Sequence, residues 1–271
     1  MELKFFCPYW GMKPLPYDAA LKQIKAAGYD GVELAIDPDV AGYEEAAALC
    51  NQHGLLLIAQ HPYAKGSSPA ALLADYRNKL ERIAALGPML INCHTGRDYY
   101  TIPQNLPFLE AAETISNAYG IPIAHEIHRG RFTFCTTSTI AYLDAFSELK
   151  LTADFSHWCV VSESLLEAQQ EVIARVVPHC IHLHARVGFA QGPQVPHPAA
   201  PEYRPELAAH LNWWQQVANS LKQKGAKQMT ITCEFGPPPY LPALPFTGAP
   251  VASQWEINLF MKNYLSEKLL T

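Results

Sequence analysis

IPIAHEIHRGR, residues 121–131, carries two interleaved sets of side chains. Ile121, Ile123 and Ile127 fall on one parity, and Ala124, Glu126 and His128 on the other. Successive side chains of a β-strand point to opposite faces, so one face here is apolar and the other offers a carboxylate and an imidazole. Residues 229–235, MTITCEF, repeat the pattern with Glu234 near the end. This places Glu126 and Glu234 as two strand carboxylates that meet across a bound metal.

Working outward, the same unit recurs along the chain. Residues 3–7 read as a first strand ended by Pro8, and 16–27 as a helix with apolar Ala20, Leu21, Ile24 and Ala27, stopped by Gly28. Strands follow at 31–36, 55–61, 89–94, 121–127, 151–155, 180–185 and 229–235. Helices lie between them at 43–53, 68–86, 106–119, 137–149, 164–177 and 206–224, and a last one runs to about Leu269. Strands alternating with helices imply a parallel sheet. Eight such units in 271 residues predict a (β/α)₈ TIM barrel, one α/β domain over residues 1–271. The competitor is an open doubly wound sheet, but no GxGxxG follows the first strand.

Bulk composition narrows the function. A net charge of -5 disfavours a nucleic-acid surface, and 49% hydrophobic residues suffice for a large core. Seven cysteines without a CxxC pair read as reduced, buried thiols. No apolar run approaches a membrane span, and the first strand starts within a few residues of Met1 without a basic-then-apolar leader. The expected location is the cytoplasm.

In a barrel the catalytic groups gather at the C-terminal strand ends. His61, His94, Glu126, Asp154, His184 and Glu234 each end a strand, His157 follows Asp154 by three residues, and Glu33 lies inside the second strand. One histidine at a strand end is usually a satisfied structural residue, and His53, His125, His179 and His210 are read that way. Seven ionisable groups in otherwise apolar strands are different, because burial is costly for each unless it is paired or bound to a metal. Carboxylates and imidazoles without a thiolate suit one divalent ion such as Mn²⁺, Zn²⁺, Co²⁺ or Mg²⁺. Cys93 and Cys233 point away by parity, while Cys159, just past His157, stays open as a donor.

Taken together, GYDGVEL in the second strand, NCHTG after the fourth, HEIHRGR, DFSHW, IHLHAR and TCEFG resemble the xylose isomerase-like TIM barrels. This is the sugar (phosphate) isomerase/epimerase group, which shares its fold with apurinic endonucleases. The resemblance covers nearly the whole chain and implies metal ligands Glu126, Asp154, His184 and Glu234. It implies that His157 binds a substrate oxygen and that Glu126 and Glu234 move a proton on opposite faces of the substrate. His61, His94, Arg186, Arg129 and Trp10 are the further substrate-binding candidates; Arg131 lies near the same end, where the arginines could clamp an anionic or polyhydroxy substrate or be solvated structural residues. The expected partner is a small carbohydrate-like molecule, with neither nucleic acid nor membrane.

Two departures stand out. Epimerases of this family often carry an Arg a few residues beyond the strand-seven His, where position 190 here is Ala. No Gly-rich phosphate cradle follows the seventh or eighth strand, so a phosphorylated substrate is not expected. The long Pro-rich loops there suggest a stiff lid or a contact within a homo-oligomer. Rival readings are a lyase such as a keto-sugar dehydratase, an apurinic endonuclease-like phosphodiesterase, and a metal- and sugar-binding protein without turnover.

Overall fold

The computed structural model describes residues 1–12 and 14–269. Its first half runs β1 (Glu2–Pro8), α1 (Tyr17–Ala26), β2 (Gly31–Ala35), α2 (Tyr43–Gln52), β3 (Leu56–His61), α3 (Pro69–Ala84), β4 (Leu90–Cys93) and α4 (Ile102–Tyr119). The second half continues with β5 (Ile123–Glu126), α5 (Thr136–Ala145), β6 (Leu151–Ala153), α6 (Ser156–Val161), α7 (Gln170–Val176), β7 (Cys180–His184), α8 (Arg204–Gln223), β8 (Gln228–Thr232) and α9 (Gln254–Lys268). All eight strands pair in parallel with their neighbours and β1 closes on β8, so the sheet is the expected barrel.

Local chemistry sets the helix ends. The Ser68 hydroxyl accepts from the Ala71 N–H and Pro69 takes the first turn of α3, where its missing donor costs nothing. Thr101 and Gln104 form a reciprocal capping box on α4. The short helix α6 is additional to the sequence expectation, which placed the first helix after this strand at 164. It starts directly after Asp154 because the Asp154 side chain accepts from the Ser156 backbone N–H at 3.1 Å and turns the chain. The helix expected at 164–177 is accordingly shortened to α7, preceded by a 3₁₀ turn at Glu167–Gln169.

The barrel interior is layered. Phe6, Ile58, Leu90 and Ala124 form an apolar plug near its lower end, with Met89 and Ile181 packed beside them. Gly31 is required by this plug: a Cβ there would lie 2.4 Å from the Phe6 ring and 2.4 Å from the Leu56 carbonyl. Above the plug, Glu33, Asn92, Glu126, His182 and His184 are buried on the inner face. The larger apolar core lies between the strands and the helices. The seven cysteines are free thiols, six of them buried. No helix among the described residues is long and apolar enough to cross a membrane.

His210 of α8 belongs to this outer core and is locked in its neutral form. Its Nδ1–H donates to the Glu206 carbonyl at 2.8 Å, and its Nε2 accepts from the Gly188 N–H at 3.2 Å. Burial pushes its pKa down to about 4 from the ordinary 6.5. As pH falls below 6.5 the unfolded chain takes up this proton and the folded chain does not. The contribution to stability is therefore lost progressively towards pH 4, by about 2 kcal/mol at pH 5. Urea unfolding at pH 7 and pH 5 should show a smaller pH dependence for His210→Gln than for the wild type; an unchanged difference would refute the assignment.

Candidate metal centre

The upper interior is built from strand ends. Register places Glu126 beside Thr152, His182 beside Thr230 and His184 beside Thr232. Asp154 and Glu234 come from the two residues just beyond β6 and β8. Ligand atoms of Glu126, Asp154, His184 and Glu234 all lie within 4.8 Å of one another, and all four residues are buried. Donors about 2.1 Å from an octahedral ion stand roughly 3 to 4 Å apart, so a small contraction closes this set on an ion.

The hydrogen bonding shows which atoms are uncommitted. Glu126 Oε2 accepts from Asn92 Nδ2 at 2.7 Å and faces His94 Nε2 at 3.0 Å, while its buried Oε1 has no partner. His184 Nε2 donates to the Glu33 carboxylate at 2.9 and 3.0 Å. That fixes the ring and turns Nδ1 inward, the arrangement by which carboxylates orient ligating histidines; Nδ1 would give up its proton on taking an ion. His184 Nδ1 lies 2.7 Å from Glu234 Oε2, yet neither atom has a hydrogen-bond partner because the two are not aligned for one. Two carboxylate oxygens and one imidazole nitrogen, buried and without an aligned hydrogen bond, are a donor set that suits a hard or borderline divalent cation.

Charge is unevenly shared. Burial opposes ionisation of Glu126, but His94 and His184 outweigh it and hold this carboxylate well below the usual range. Burial pushes the His184 imidazolium down, and Glu234, Glu33 and Glu126 together raise it well above the ordinary value. Burial pushes the Asp154 carboxyl up, and the Arg186 guanidinium in contact with it favours the ionised form. Arg186 is itself buried, with contacts to Asp154, Glu234 and His157.

Two sequence-predicted residues stand elsewhere. His61 is paired in register with Cys93 and faces outward: its Nε2 donates to the Tyr76 carbonyl of α3 at 3.3 Å and its ring packs on Tyr76. The inward residue of that strand end is Gln60, level with Asn92, whose amide reaches both Glu126 and His94 at 3.4 Å. Arg129 is exposed on the turn after β5, 5.3 Å over the Tyr240 ring. His94 and His157 do reach the site, joined by the His128 ring at 4.5 and 3.9 Å respectively. Trp10 stands 6.5 Å from the His184 ring and lines a cavity of about 240 Å³ with Tyr9, Gln60 and Tyr63. Cys159 is excluded as a donor, since its thiol packs against His210.

Sequence reasoning passed over Gln60, Asn92 and Ser156. The first two are isolated polar residues in the runs LLLIAQH and MLINC, and that isolation was their available signal. Ser156 is legible only from its partners, Asp154 and Arg186.

The fold can be compared with known structures. A sugar phosphate isomerase/epimerase from Parabacteroides distasonis superposes with a TM-score of 0.60 at 12% identity, over 98% of this chain and 98% of that one. The 3-keto-D-glucoside 4-epimerase YcjR of E. coli gives 0.59 at 12%, over 98% and 100%. The probable 3-DHS dehydratase AsbF of Bacillus anthracis gives 0.60 at 13%, over 98% and 99%. No protein of curated function matches the sequence significantly. The family profile "Xylose isomerase-like TIM barrel" matches residues 21–254. With most of its length matched and its barrel closed by eight parallel strands, the chain belongs to the xylose isomerase-like TIM barrel family.

Proposed function

We propose that this protein is a divalent-metal-dependent isomerase or epimerase of a small sugar or hydroxy-keto compound. The observation that carries the reading is the convergence of Glu126, Asp154, His184 and Glu234 at the C-terminal mouth of the barrel, with an atom of Glu126, His184 and Glu234 lacking a hydrogen bond. These four would hold the ion, and when bound it supplies Lewis acidity for substrate oxygens.

The chain's own groups do the proton work. A C–H beside a carbonyl is too weakly acidic for a free carboxylate, so the developing enediolate needs stabilisation in place. Glu126, held ionised by its histidine neighbours, is a base at neutral pH. Glu234 comes from beyond β8, three strands away around the barrel, and approaches from another side. For inversion, one carboxylate takes the proton and keeps it while the other, already protonated, delivers its own proton to the opposite face of the enediolate; delivery of the abstracted proton to the neighbouring carbon by the first carboxylate exchanges aldose and ketose. Asn92 and His94 fix Glu126, and Glu33 fixes His184.

Purified protein should contain about one divalent ion per chain by elemental analysis, removable by chelation with loss of activity. A preparation that is folded and metal-free, and binds no added Mn²⁺, would sink the reading. Incubation in D₂O with small ketoses, aldoses and hydroxy-keto acids should place deuterium beside the carbonyl. Loss of water from the substrate instead of simple label uptake would assign the lyase chemistry.

A further inference from the structure

Four carboxylates, those of Glu33, Glu126, Asp154 and Glu234, are buried at one end of the barrel. Buried anions need a compensating cation. The Arg186 guanidinium touches two of them: one terminal nitrogen sits on Asp154 Oδ2, and the other is 3.4 Å from Glu234 Oε1. Asp154 has only that oxygen to offer, because Oδ1 accepts from both the backbone N–H and the hydroxyl of Ser156. Arg186 therefore stands on the oxygen through which Asp154 would reach an ion. Its remaining contacts are to uncharged groups. Nε donates to Ser156 Oγ at 3.0 Å, a terminal nitrogen donates to His157 Nε2 at 2.7 Å, and the plane lies 4.7 Å from the Tyr240 ring. These keep the guanidinium in reach of the carboxylates without neutralising it.

We infer that Arg186 is the built-in counter-cation of this centre: guanidinium and divalent ion compete for Asp154 and Glu234, and ion binding displaces the guanidinium from them towards Tyr240. The inference rests on the four-ligand reading proposed above. A fixed positive charge this close weakens the binding of a second cation and stabilises the carboxylates when that cation is absent. Neutralising it should therefore move two observables in opposite directions. The ion-free protein becomes less stable, and the ion binds more tightly. An arginine that merely orients Asp154 for the ion would lower both together.

The test is calorimetric titration of Mn²⁺ into chelator-treated wild type, Arg186→Gln and Arg186→Lys, with thermal unfolding of each protein with and without Mn²⁺. Arg186→Gln should bind Mn²⁺ about tenfold more tightly than wild type. Its melting temperature should fall by several degrees without the ion, and the gap should narrow when Mn²⁺ is present. Arg186→Lys keeps the charge but not the two-pronged fork, so its affinity should lie between the two. If Arg186→Gln does not fold, tighter binding by Arg186→Lys carries the test alone. Unchanged or weaker Mn²⁺ binding by the folded variants overturns the inference. Failure of wild type to bind Mn²⁺ overturns the four-ligand reading, and the competition falls with it.

Discussion

Glu234→Gln should retain about one divalent ion per chain and lose roughly 10³-fold in kcat, the scale expected when a positioned acid or base is removed. The amide keeps the shape of the side chain and one oxygen for the ion, with its NH₂ replacing Oε1, the oxygen 3.4 Å from Arg186. What it loses is the ability to take up and return a proton. Metal content and solvent deuterium exchange, measured on the same preparation, separate the two roles. Loss of the ion together with activity would make Glu234 a ligand first and remove it as a base. Wild-type exchange rates in the variant would end the two-carboxylate mechanism altogether.

Glu33→Ala should be the most damaging substitution that touches no proposed ligand atom on the ion itself. Glu33 Oε1 accepts from Asn92 at 3.0 Å, and its carboxylate is shared by His182, His184 and the Thr232 hydroxyl. Burial disfavours its ionisation, but His184 and His182 hold its pKa far below the ordinary carboxylate value. Removing one partner of a buried charged cluster strands the others and costs about 3–5 kcal/mol. Freed of Glu33, the His184 ring also loses its fixed orientation, which lowers metal affinity roughly 10- to 100-fold. Urea unfolding of the ion-free variant and Mn²⁺ titration read the two effects separately. Glu33→Gln, which keeps the hydrogen-bonding shape, should recover part of the stability. A variant as stable as wild type with unchanged affinity would reduce Glu33 to a bystander.

Much of this was legible in the sequence because barrel strands state their function by parity and position. Glu126 and Ile127 declare opposite faces within two residues, and a carboxylate at the end of an apolar run has few structural alternatives. The closed parallel barrel followed from eight strand–helix units, and the structure bears it out. His61 shows where this reading breaks down. LLLIAQH is apolar on both parities, so nothing local says which of Gln60 and His61 turns inward; ionisability favoured the histidine. The pairing of Gln60 with Asn92 decides it, and that is a contact between strands. Arg186 was readable as a cation near the mouth. That it rests on Asp154 and Glu234 depends on a turn that only the Ser156–Asp154 hydrogen bonds create.

The apolar plug of Phe6, Ile58, Leu90 and Ala124 has a consequence for traffic. With the floor packed by these side chains, the proposed centre is reached from the top of the barrel. Under the proposed function, an ion held beneath the substrate would enter first and leave last, and product would obstruct the passage that admits the next substrate.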